Sequence, residues 1–116
     1  MRIVFYINDS GYPDVGVFDG NPILATFLIN EIGSTPSNAD DWMNEIKKGL
    51  DNSYYYSSGT GNAHTLTVKG TNVQISNEFV FEDTDVECSG EQLLHLIELW
   101  LSFLEDRQER NVLLAW

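Results

Sequence analysis

Asn77–Arg107, NEFVFEDTDVECSGEQLLHLIELWLSFLEDR, is the stretch that decides the fold. Ser89 stands three residues before Gln92, the spacing at which a hydroxyl caps a helix N-terminus while the amide reaches back to the cap residue. Glu91 falls in the first turn, against the positive end of the helix dipole. From there Leu93, Leu96, Ile97, Trp100, Phe103 and Leu104 recur at spacings of three and four. Leu94 and Leu101 widen the stripe, and Glu91, His95, Glu98, Ser102 and Glu105 occupy the opposite side. The pattern predicts a core helix. Directly before it runs an acidic, aromatic segment, Glu78–Glu87, expected as strand and loop.

Residues 2–7 are rich in β-branched and aromatic types, Asn8–Pro13 is dense in turn formers, and Val15, Val17 and Phe18 predict a returning strand, so a hairpin is expected at the start. Asn21 followed by Pro22 reads as a helix start, with Ile23, Leu24, Phe27, Leu28 and Ile32 forming a stripe that stops at Gly33. A second start follows, with Ser37 or Asn38 as cap and Asp40 and Asp41 in the first turn. Lys47 and Lys48 fill the last turn before Gly49. The narrower face Trp42, Ile46, Leu50 predicts a surface helix packed on one side.

From Ser53 onward the pattern is β. Tyr54–Tyr56 reads as strand and Ser57–Asn62 as turn. His64, Leu66 and Val68 then alternate with Thr65, Thr67 and Lys69, and Val73 and Ile75 with Asn72, Gln74 and Ser76. Phe79 and Phe81 continue that strand past a bulge or start another. The apolar tail Asn111–Trp116 either docks on the domain or meets a partner. The expected product is one α+β domain over residues 1–116: an antiparallel β-meander with an N-terminal hairpin, packed by about three α-helices.

Eighteen Asp and Glu against six Lys and Arg give a formal net charge of -12, and the isoelectric point is near 4.2. Such a chain repels nucleic acid and anionic membranes and favours a basic partner, although acidity also serves solubility alone. The apolar run at the N-terminus is too short for a signal peptide and no run reaches the length of a membrane span, which points to a cytoplasmic protein.

Asp83-Thr84-Asp85-Val86-Glu87 starts like a calcium loop, but Cys88 and Leu94 stand where glycine and a bidentate carboxylate belong. No zinc spacing and no phosphate loop is present, so neither metal nor cofactor is expected. Cys88, just before a helix N-terminus, is the one nucleophile with a physical case, with His64 or His95 as base. Its acidic neighbours disfavour a thiolate, and a small buried cysteine is the simpler expectation. His95, with Glu91 and Glu98 nearby, reads as part of a helical ion pair, and His64 as a packed or edge histidine. What remains are the carboxylates of Glu78, Glu82, Asp83, Asp85 and Glu87 interleaved with Phe79, Phe81 and Val86. Charge that steers and rings that anchor are the two parts of a protein-binding site. The plainer alternative is a solvated loop with inward rings and outward acids.

Several of these residues resemble the YacL-like family of small bacterial proteins. They are Tyr54-Tyr55-Tyr56 with Gly61 and His64-Thr65-Leu66-Thr67-Val68, then Val73–Phe79, then Cys88-Ser89-Gly90-Glu91-Gln92-Leu93-Leu94 with Trp100 and Phe103. The resemblance spans roughly residues 53–105 and rests on fold-determining positions. Size, acidity and architecture are also similar to the CdiI immunity proteins of contact-dependent growth inhibition. That resemblance implies a non-enzymatic inhibitor of a cognate basic CdiA C-terminal toxin domain, nuclease-like and often an RNase, whose cleft an acidic surface covers. It carries over no residue by position. A housekeeping YacL-like binder of another basic protein or ribonucleoprotein is the second expectation, and a small enzyme using Cys88 and a histidine the third.

Overall fold

The computed structural model describes residues 1–79 and 85–116. The strand β1 (Arg2–Ile7) pairs antiparallel with β2 (Pro13–Phe18), giving the expected hairpin. A short helix α1 (Ile23–Phe27) follows, started by Asn21, whose side-chain oxygen accepts the N–H of Ile23 at 3.0 Å. It runs into a π-helical turn at Leu28–Ile32, a widened turn that brings Leu28, Glu31 and Ile32 all inside. Gly33 ends it at φ +61°, a backbone position that favours glycine.

The 13-residue helix α2 (Ala39–Asp51) differs from expectation at both ends. Neither Ser37 nor Asn38 caps it, because a 3₁₀ turn at Pro36–Asn38 leads straight in and the Asn38 amide donates to the Ile32 carbonyl instead. Gly49 does not stop it either. There the helix crosses the chain reversal at Gly70 so closely that a Cβ would overlap the Gly70 carbonyl oxygen, so this glycine serves packing.

Four antiparallel strands form the larger sheet in the order β3-β4-β5-β6: β3 (Tyr56–Thr60), β4 (His64–Lys69), β5 (Asn72–Asn77) and β6 (Val86–Ser89). The stretch expected as a turn, Ser57–Asn62, is mostly strand. Hydroxyls stand in for β-branched packing, with Ser58 against Thr67 at 3.2 Å and Thr60 against Thr65 at 2.7 Å. Tyr54 and Tyr55 precede the strand in a turn organised by Asn52. β5 ends at Asn77, so Phe79 does not extend it and lies 73% exposed.

The helix α3 (Gly90–Asp106) carries the capping box read from the sequence: Gln92 N–H to the Ser89 hydroxyl at 3.0 Å and Ser89 N–H to the Gln92 amide oxygen at 2.9 Å. Its buried face is the expected one, Leu93, Leu96, Ile97, Trp100, Phe103 and Leu104. The tail docks on the domain. Arg110–Leu113 forms β7, the third strand of a separate sheet ordered β2-β1-β7. Among the described residues the chain thus has two antiparallel sheets, the expected N-terminal hairpin extended by β7 and the expected meander, in an α+β fold. α3 lies against both, with Phe5 of β1 stacked on Phe103 and tilted on Trp100 and with packing onto β5 and β6, while α2 covers β4. One continuous core, from Ile3 to Leu114, results.

Candidate functional site

The four-stranded sheet has a buried and an open face. Leu66, Val68, Val73, Ile75 and Val86 point to the core, so strand alternation puts Thr65, Thr67, Lys69, Gln74 and Glu87 on the other side. Three of the sequence-predicted carboxylates lie on or beside this open face. Glu87 stands opposite Gln74 in the β5–β6 register and is exposed. Asp85, also exposed, accepts the Gln74 amide at 2.8 Å, and the same amide's oxygen accepts Lys69 Nζ at 3.2 Å. Glu78 accepts the Thr65 hydroxyl, and its backbone N–H donates to Ala63. Glu82 and Asp83, with Phe81, lie outside the described residues.

Beside Glu87 opens a recess of about 480 Å³ lined by Lys69, Asn72, Gln74, Cys88, Ser89 and Gln92 among others. Asp85, Glu87 and Glu91 form no ion pair within 4.0 Å among the described residues. Of the three, Glu87 lines the recess, together with Lys69, whose Nζ is held by the Gln74 amide oxygen. Cys88 is half-buried, and burial pushes its thiol up to about 11. At neutral pH it is a thiol and not a thiolate, so the helix N-terminus beside it does not activate it. His95 is exposed and makes no ion pair with Glu91 or Glu98 among the described residues, contrary to the expected helical pair.

A second polar cluster lies on the inner side of the same sheet. Glu31 is 5% exposed and His64 0%. The Glu31 carboxylate accepts the backbone N–H groups of Asn62, Ala63 and His64 at 2.7, 3.1 and 3.1 Å, and His64 Nδ1 at 2.6 Å. His64 Nε2 meets the Thr26 hydroxyl at 2.9 Å, and that hydroxyl also lies 3.1 Å from the Ile23 carbonyl. Phe27 closes over the imidazole edge-on. The trio ties the β3–β4 turn to α1 and the π turn; of the three, Glu31 lines a recess of about 490 Å³ beside Trp42, Asp41 and Gly61. Gly61 leaves the space for it, since a Cβ there would overlap the Glu31 carboxylate.

The packed reading of His64 holds, but its partner was missed. Positions 24, 27, 28 and 31 share one helical face, and an acid inside that apolar stripe is the signal that would have found Glu31. Among the described residues no group of three His, Cys, Asp or Glu side chains is placed to hold a metal ion, and no helix is long and apolar enough to cross a membrane. No protein-family model, curated protein or solved structure matches the chain.

Proposed function

We propose that this chain is an immunity-type inhibitor: a non-enzymatic cytoplasmic protein that binds a cognate basic toxin domain, such as a CdiA-type C-terminal RNase, and covers its active site. The reading is carried by the acidic rim of the open sheet face. Asp85 and Glu87 stand beside Gln74 without a cation within 4.0 Å among the described residues, in a chain with eighteen acids and six bases. Carboxylates exposed on and beside a sheet attract a basic cleft before contact and occupy it as phosphate would, without being a substrate. The 73% exposed ring of Phe79 beside Glu78 supplies an apolar anchor once the partner has docked.

Growth decides the question first. Cells expressing the C-terminal domain encoded immediately upstream are compared with and without this protein; arrest that the protein relieves supports immunity, and absence of rescue removes it. With the purified pair, Asp85→Lys together with Glu87→Lys weakens binding by about 1–2 kcal/mol per reversed charge, most of it in the association rate, and raising salt does the same to the parent. Unchanged affinity in the double variant takes these residues out of the interface.

A further inference from the structure

The acidic side of the sheet ends at β6; its other edge, β3, is different in kind. Gly61 N–H bonds to the His64 carbonyl and Gly70 N–H to the Tyr55 carbonyl. In the β3–β4 register this makes Ser57 and Gly59 the residues whose backbone groups face β4. The N–H and C=O groups of Tyr56, Ser58 and Thr60 therefore point away from the sheet, and no other element pairs with them among the described residues. Tyr56, Ser58, Gly59 and Thr60 are all exposed, Tyr56 at 67%, and Tyr54 just before them at 94%. An edge of this kind is a template for another strand, and it carries none of the lysines, prolines or bulges that usually block one.

Charge identifies the occupant. No Asp, Glu, Lys or Arg occurs from Asn52 to Val68, although the chain as a whole carries -12. Two copies of so acidic a protein repel almost everywhere and can approach where carboxylates are absent. The nearest ones are Glu31, buried beneath the β3–β4 turn, Glu78, which holds the Thr65 hydroxyl beside Thr60, and on α2 Glu45 and Asp41. Glu45 is engaged: the Tyr55 hydroxyl above all, then Ser57 and Lys48, hold its carboxyl below the usual range. Asp41 lines the recess on the inner side of Gly59 and Thr60, off the edge itself. A basic partner, by contrast, gains no charge complementarity at a neutral strand.

We propose that β3 is a self-association edge, where two copies pair antiparallel about a two-fold axis at Ser58 and join their sheets into one of eight strands. Only the register that sets Ser58 against Ser58 uses all the outward groups of Tyr56, Ser58 and Thr60. It also sets Tyr56 opposite Thr60 of the second copy, an aromatic and β-branched pair of the kind that stabilises sheets. Ser58 and Thr67 of both copies then form one hydroxyl row across the joint open face. Because only a short strand and two tyrosine rings are covered, the dimer is weak and concentration-dependent. Salt strengthens it by screening the repulsion, the reverse of its effect on a basic partner.

The test is sedimentation velocity at about 5 to about 500 µM protein. The parent shows a species of twice the 13.1 kDa chain mass that grows with concentration and with salt. Ser58→Pro removes an outward N–H that β4 does not use, and it abolishes that species. Ser58→Glu and Ser58→Lys are each monomeric alone, and an equimolar mixture of the two dimerises, because the residues face each other across the axis. The charge pair decides by itself if the proline variant does not fold. A parent that stays monomeric throughout, a dimer that survives Ser58→Pro, or a mixture of the charge variants that stays monomeric overturns the proposal. The test is run without a toxin, so its failure leaves the inhibitor reading to its own experiment.

Discussion

The two edges of the four-stranded sheet solve the same problem in opposite ways. At β6 the next helix begins at once, and the outward N–H of Ser89 is taken by the Gln92 side chain of the capping box. The neighbouring outward position is a carboxylate, Glu87. At β3 the outward groups of Tyr56, Ser58 and Thr60 have no partner among the described residues, and the strand carries no charge. A capped, charged edge resists strand addition and offers its side chains instead; an open, neutral edge offers its backbone. One sheet thus has two edges that differ in kind, one closed and charged, the other open and neutral.

The contrast depends on β3 being held in place, and the hold lies at its turn. Glu31→Ala removes the acceptor for the N–H groups of Asn62, Ala63 and His64 and strands the buried imidazole, at a cost of about 3–5 kcal/mol. Chemical denaturation reads this as a lower midpoint, and a change under about 0.5 kcal/mol would show that the turn does not need its anchor. The closure of β6 is tested by its thiol. With Cys88 pushed up to about 11, alkylation near neutral pH runs roughly a hundredfold slower than for a free cysteine. Since the raised value keeps the proton on until the pH nears 11, the rate keeps climbing about tenfold per unit through the range where an ordinary thiol levels off. A plateau near pH 9 would mean that this edge opens.

A smaller effect belongs to the cap. Gln92→Ala frees the Ser89 N–H, lowers stability by about 1 kcal/mol and speeds hydrogen exchange at that amide toward the rate at Ser58. Smallest of all is Glu78→Gln, which keeps a partner for the exposed Thr65 hydroxyl and changes stability by less than about 0.5 kcal/mol. A larger loss there would make the acidic side a structural device and weaken its reading as a binding surface.

How much of this the sequence discloses depends on whether the cause is local. The capping box, the stripe of α3, the N-terminal hairpin and the alternation of β4 and β5 are all written in neighbouring residues, and each stands as read. Ser57–Thr60 misleads because its strand is made by hydroxyl pairs with β4 and not by its own preference. Gly49 misleads because its reason is the carbonyl of Gly70, a contact known only after folding. The tail had two possible fates, and its pairing with β1 involves residues at the other end of the chain. Of the site, Glu78, Asp85 and Glu87 were legible as charge, but their seats on Thr65 and Gln74 required the register. Glu31 was legible in principle, since an acid at an apolar stripe position needs a partner and His64 on a buried strand face needs one too.

The strand β7 also sets a folding schedule. The amino group of Met1 bonds to the Leu114 carbonyl at 2.8 Å, across a separation of 113 residues. Closing a loop of that length costs about 4 kcal/mol of chain entropy before any contact rewards it. The hairpins β3–β4 and β4–β5 close over a handful of residues, so they and α3 are placed to form the nucleus, and the β1–β7 ladder to zip last. Shortening Val112 to alanine should therefore speed unfolding and leave the refolding rate nearly unchanged, whereas shortening Ile75 should slow refolding. The strand that completes the smaller sheet is in this sense a latch, the last part to engage and the first to let go.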